Sequence, residues 1–250
     1  MPVTTHLEEL RTRLLHIIIA VGIGFVACYF FKEKLFEILA RPLVTQLPDQ
    51  SVLIFTSLPE AFFTYLKVSL LGSLFLTSPY TLFQIWKFIS PGLYSSEKRY
   101  VVPFVMFSTI FFLSGALFAY FLVFPLGFKF FVGFTTDFIK PMFSIREYLS
   151  FSMKLLIAFG VIFELPIFMY FLARIGMVSS KTLTTQRKYA ILLIFIIAAL
   201  LTPPDVVTQC LMAVPLMILY EISVWIVRLG ERKRARNAEE PDKGDVTEKA

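Results

Sequence analysis

Three carboxylates stand where an acid could do more than keep a protein soluble. Glu164 lies in AFGVIFELPIF, a carboxylate deep in an apolar run. A charge at mid-membrane costs roughly 2.5–3.5 kcal/mol on insertion scales, so such a group faces a protein interior, a partner or water. Glu164 could therefore be a polar contact in a face that binds another helix, or a proton relay. It could also be a protonated acid bonded to a carbonyl freed by Pro166. Glu97 sits in QIWKFISPGLYSSEKRY (84–100), a short polar island between two long apolar runs, beside Lys98 and Arg99. Glu9 stands four residues before Arg13 near the N-terminus. Together Glu9 and Glu97 could receive a cationic peptide, and bidentate bonding would favour arginine over lysine. The plainer reading pairs Glu9 with Arg13 and Glu97 with its neighbours, at a few tenths of a kcal/mol each.

A second polar group surrounds the sequence TPPD. Pro203 and Pro204 exclude a continuous helix there, and Asp205 suits a turn or a helix cap. Thr202 and Gln209 could then serve as polar anchors for a partner helix. No metal site is expected, because His6 and His16 have no companions at ligand spacing. Cys28 and Cys210 both lie in apolar context and read as unpaired buried thiols. The phosphate-binding loop, the serine elbow and the zinc-protease motif are all missing, so no enzyme activity and no cofactor are expected.

The elements that must carry these residues are membrane helices. The chain has 250 residues, 57% hydrophobic and 17% charged, with 29 Phe. A soluble domain runs nearer ~45–50% apolar and ~25% charged. The apolar residues gather into six runs, which predict an all-α polytopic protein with spans near 14–31, 61–86, 101–124, 148–172, 189–202 and 206–227. Thr5 and Glu8 have capping-box spacing at the start of the first helix. Lys32 opens an interfacial helix expected to end at Pro42, and Pro79 should kink the second span. Pro125 marks the expected end of the third span, and Glu164 and Pro166 interrupt the fourth. The fifth apolar run, Tyr189 to Leu201, has only 13 residues, short for a ~30 Å hydrocarbon core, so it calls for local thinning or for partner helices. The bundle is expected to occupy 1–230, and the charged stretch 231–250 reads as a disordered tail.

The charges assign sides. Net charge is +6, but the bases sit in loops and at the tail with no basic face, which argues against nucleic acid. With six spans, sixteen Lys and Arg fall on the side of the termini and of the island, against six on the other. The positive-inside rule then puts both termini and the island in the cytoplasm. No signal peptide is expected, since 1–13 is polar and acidic.

Six stretches carry a family likeness: HLEELRTRLL (6–15), RPL (41–43), SPYTLFQIWKFISPGLYSSEKR (78–99), FAYFLVFPL (118–126), YLSF..KLLIAFGVIFELP (148–166) and LLTPPDVVTQ (200–209). With them the chain resembles the TatC family, the multi-spanning receptor subunits of the twin-arginine protein translocase. The resemblance implies a glove-like six-helix bundle in the bacterial inner membrane. It implies that Glu9, Glu97 and Phe88 bind the twin-arginine signal peptides of folded export substrates. It makes Glu164 the intramembrane acid of a concave pocket and puts Thr202 and Gln209 near the sites of single-span partners of the TatA and TatB types. It gives Pro42, Pro79 and Asp205 structural or coupling roles. Transport would be driven by proton-motive force, and self-association is possible. Two other readings stay open: an ion-coupled transporter using Glu164 as a proton relay, although no convincing inverted repeat is visible, and a purely structural membrane subunit.

Overall fold

The computed structural model describes residues 3–47, 53–89, 101–136, 142–202 and 205–239. Among them the architecture is all-α, with one isolated parallel β-bridge between Ile54 and Ser144. The chain forms two compact units, Met1–Phe163 and Glu164–Ala250.

The first unit holds α1 (Val3–Phe30), α2 (Lys32–Val44), α3 (Glu60–Leu76), α4 (Ser78–Ile89), α5 (Val101–Phe118), a π-turn (Ala119–Val123), α6 (Phe124–Val132) and α7 (Ile145–Phe163). α1 is already helical at Val3, so Thr5 lies inside the helix and not at its cap. The bend expected at Pro79 is present. α3 and α4 meet at 60° across Thr77, because Pro79 has no N–H to continue the α3 ladder and fits the first turn of a new helix. Two other prolines do not end helices as expected. α2 passes through Pro42 to Val44. The helical path of α5 continues past Pro125 to Val132, through a π-turn whose widened register accommodates the proline that follows.

Packing in this unit relies on small residues, as expected where lipid offers no hydrophobic drive between helices. α1 meets α3 where Gly24 approaches Ser73 and Thr77. α5 meets α7 at a reciprocal pair. A Cβ at Gly115 would lie 2.4 Å from the Phe159 carbonyl oxygen, and one at Gly160 would lie 2.7 Å from the Phe112 ring. Phe118 closes the seam against Phe159 and Phe163 at centroid distances of 5.6 and 5.4 Å. The Gly115 contact is with backbone and cannot yield by a rotamer change. Gly115→Ala is therefore expected to cost about 1–3 kcal/mol. Thermal unfolding in detergent checks this against Gly22→Ala, whose Cβ meets nothing within 4 Å. Equal midpoints for the two variants would refute the close-packing account.

The second unit holds α8 (Leu165–Arg174), α9 (Ser180–Thr185), α10 (Arg187–Leu201) and α11 (Val206–Glu239). Gly176 ends α8 at φ +82°, and the N–H groups of Gly176 and Met177 bond to the carbonyls of Ala173 and Leu172 at 3.1 and 3.0 Å. That is a Schellman closure, which needs a residue free to take positive φ. Leu183, Val224 and Val227 form this unit's core, with Met169, Ala173 and Tyr220 packed against it. Composition placed 231–239 in a disordered tail, but α11 continues through them, and Glu231 accepts bonds from the N–H and hydroxyl of Ser180 at 2.9 and 2.5 Å.

Among the described residues, four stretches are long and apolar enough to cross a membrane, or five if α3 and α4 make one bent span. α10 has 15 residues. At ~1.5 Å per residue it rises ~22 Å, less than a ~30 Å hydrocarbon core. The short fifth run of the sequence is thus a short helix.

Candidate functional site

The N-terminal part of α1 and the C-terminal part of α4 build one polar surface. On α1, His6, Glu9 and Arg13 recur at helical spacing and share a face; on α4, Gln84 and Phe88 do the same. The two faces meet. The His6 and Phe88 rings stack at a centroid distance of 4.4 Å with 18° between planes. The Arg13 guanidinium donates to Glu9 Oε1 at 3.1 Å and to Gln84 Oε1 at 3.2 Å. Phe88 and Glu9 thus lie along one helix pair, although 79 residues separate them in the chain. Glu97 lies outside the described residues.

The Glu9–Arg13 pair sits part-buried, with side chains 27% and 20% exposed. The carboxylate there holds a guanidinium, and the arginine is shared with an amide oxygen. The chemistry on offer is exchange: a second guanidinium could compete for Glu9, and its flat face could replace the His6 ring on Phe88. Trp86, on the same helix, is buried and donates from Nε1 to Ser108 Oγ at 2.7 Å, which ties α4 to α5.

Sequence reasoning passed over Glu60. It is 5% exposed, and its carboxylate joins two connecting segments. Oε2 accepts from Thr56 N at 2.7 Å, Thr56 Oγ1 at 3.1 Å and Ser57 N at 3.2 Å. Oε1 accepts from Arg146 N at 2.8 Å and Ser144 Oγ at 3.1 Å. The β-bridge runs beside it: Ile54 N–H donates to Phe143 O at 3.1 Å, and Ile145 N–H donates to Ile54 O at 2.9 Å. Each of these five groups donates, which suits the acceptor-only ionised acid. One half of the arrangement had a sequence signal. Ser57 and Glu60 have capping-box spacing, and the carboxylate does reach back to the Ser57 N–H.

In the second unit Glu164 precedes α8 at the one-residue break after Phe163, with Pro166 in the first turn of α8. Its carbonyl accepts from Phe168 N at 2.9 Å, and its side chain is half-buried. Asp205 caps α11. Oδ1 accepts the Thr208 N–H at 2.7 Å, and Oδ2 accepts the Thr208 hydroxyl. A cap of this kind contributes about 1 kcal/mol. Thr202 is buried and donates from Oγ1 to Ala198 O at 2.9 Å. Gln209 donates from Nε2 to Phe195 O at 3.1 Å, joining α11 to α10. Of these groups Gln209 joins two helices, whereas Asp205 and Thr202 bond within their own helical turns. The outward side of α10 is apolar, with Tyr189, Leu192, Leu193, Ile196 and Leu200 exposed. No group of three or more His, Cys, Asp or Glu suited to a metal ion occurs among the described residues.

Residues 5–215 match the family model for the Sec-independent protein translocase protein (TatC). The chain is 54% identical over 246 residues to a protein of that name from Desulforapulum autotrophicum, covering 98% of this chain and 91% of that one. It is 44% identical over 236 residues to the namesake from Aquifex aeolicus, covering 94% and 98%, and 42% identical over 239 residues to that of Escherichia coli K12, covering 96% and 92%. A crystal structure described as the twin arginine translocase receptor TatC superposes with a TM-score of 0.82 at 44% identity, covering 91% of this chain and all of that one.

Proposed function

This chain belongs to the TatC family of Sec-independent protein translocase proteins, and from that premise we propose that it is the receptor and scaffold subunit of a twin-arginine translocase. Membership makes it a multi-pass membrane protein and a component of a protein-transport system. Glu9, Glu97 and Phe88 bind the twin-arginine signal peptide of a folded export substrate on the cytoplasmic side. Six spans cross the membrane, and with that number the distribution of Lys and Arg supports both termini on the cytoplasmic side.

One observation carries the reading: Glu9 and Phe88, distant in the chain, lie along one helix pair, and Glu9 already holds a guanidinium. An incoming arginine displaces Arg13 from Glu9 in a like-for-like exchange, so little desolvation is added. A second arginine needs a second carboxylate, which the proposal assigns to Glu97. The exposed apolar side of α10 supports docking of single-span TatA- or TatB-type helices. A 15-residue helix leaves part of the bilayer thickness unmatched, and a partner helix alongside would cover that mismatch. Thr202, Gln209 and Glu164 would orient those partners, copies of the chain would self-associate around them, and proton-motive force would drive transport.

A photoreactive phenylalanine analogue at position 88 tests the central claim in membrane vesicles. It should capture a signal peptide bearing Arg-Arg and fail to capture the same peptide bearing Lys-Lys, because lysine offers no planar fork. Equal capture of both peptides, or of neither, would sink the assignment.

A further inference from the structure

A proline inside a helix removes one donor and leaves one carbonyl without its usual partner. In α2 that proline is Pro42, which is buried, and the carbonyl four residues earlier is that of Ile38. The Tyr120 hydroxyl donates to Ile38 O at 2.6 Å. The next carbonyl, Leu39 O, accepts the hydroxyl of Tyr148. Two tyrosines from two elements thus bond to adjacent carbonyls at the proline-disturbed turn of one helix. Tyr120 lies in the π-turn Ala119–Val123, where the Phe124 N–H bonds back to Ala119 O in the wide register. Tyr148 lies in the first turns of α7 and is 5% exposed.

We infer that Pro42 acts through Tyr120: the proline leaves the Ile38 carbonyl open, and Tyr120 is the positioning residue that takes it. Any other residue at 42 would supply an N–H to that carbonyl and make the hydroxyl redundant. With proline there, docking the π-turn onto α2 completes the bond from within the protein. The pin fixes the end of α2, from which the chain runs on to Glu60 and its contacts. A competing account makes Pro42 a rigid spacer and the Tyr120 bond an independent contact. The two accounts differ in one measurable respect, which is whether the effects of the two residues add.

The test is a double-mutant cycle on the full chain in lipid nanodiscs, read by equilibrium unfolding. Tyr120→Phe in the native background should raise the unfolding constant about fivefold, the change that corresponds to one typical hydrogen bond. In the Pro42→Ala background the same substitution should change it little, and the new amide at 42 should exchange slowly with deuterium. Equal losses in both backgrounds, or a fast-exchanging amide at 42, would overturn the inference. No loss from Tyr120→Phe in the native background would overturn it alone. If Pro42→Ala does not accumulate, Pro42→Ser restores the same N–H and completes the cycle.

Discussion

Replacing Glu9 and Glu97 together with glutamine is expected to abolish binding of a twin-arginine signal peptide while leaving the protein in the membrane. Each charge-assisted bond to a guanidinium contributes about 1.5–3 kcal/mol. One substitution should then weaken binding by roughly tenfold to a hundredfold, and the pair by more. Glutamine keeps the size of the side chain, so the His6–Phe88 stack and the α1–α4 contact should persist. Titration of labelled peptide into proteoliposomes gives the affinities. A second measurement isolates the contact: a peptide with its first arginine changed to lysine should lose affinity against the native chain. If that arginine is the one Glu9 binds, the peptide should lose little more against Glu9→Gln. Native affinity in the double variant would remove both carboxylates from the proposed site.

Glu60→Gln is expected to produce the largest structural effect of any single carboxylate change among the described residues. Glutamine keeps one acceptor oxygen and turns the other into an NH₂ that must face donors. At Oε1 these are the Arg146 N–H and the Ser144 hydroxyl; at Oε2 they are the Thr56 and Ser57 N–H groups with the Thr56 hydroxyl. Whichever way the amide turns, its NH₂ faces at least one backbone N–H, and the one hydroxyl on that side can accept only by giving up its present bond. The expected outcome is separation of 53–59 from 142–147 and a fall in the thermal midpoint on the order of 5 °C or more. Spin labels at Phe55 and Met142, which are 60% and 71% exposed, report the separation directly as a broadened distance distribution. A native distribution together with a native midpoint would show that the carboxylate does not hold the two segments.

Much of the architecture was legible in the sequence because membrane helices announce themselves locally. Apolar runs of sufficient length, the bend at Pro79 and the cap at Asp205 depend on residues within a few positions of each other. Helix ends were less legible. The chain continues helically through Pro42 and past Pro125, because a proline's missing bond can be made good by a hydroxyl from elsewhere or by a widened turn. The candidate site divides in the same way. Glu9 with Arg13, and the shared face of His6, Glu9 and Arg13, follow from spacing along one helix. The family resemblance pointed to Phe88, but no local rule connects it to His6.

By itself, then, the sequence determined an all-helical membrane protein of the TatC family, with its acids and prolines at recognisable positions. Tertiary structure alone decided which distant groups became partners. Arg13 meets Gln84 71 residues away, Tyr120 meets Ile38 82 residues away, and Glu60 meets Arg146 86 residues away. The reason is physical. A buried donor or acceptor must be satisfied, but the obligation does not say by whom, and helix packing through small-residue seams settles which group is within reach.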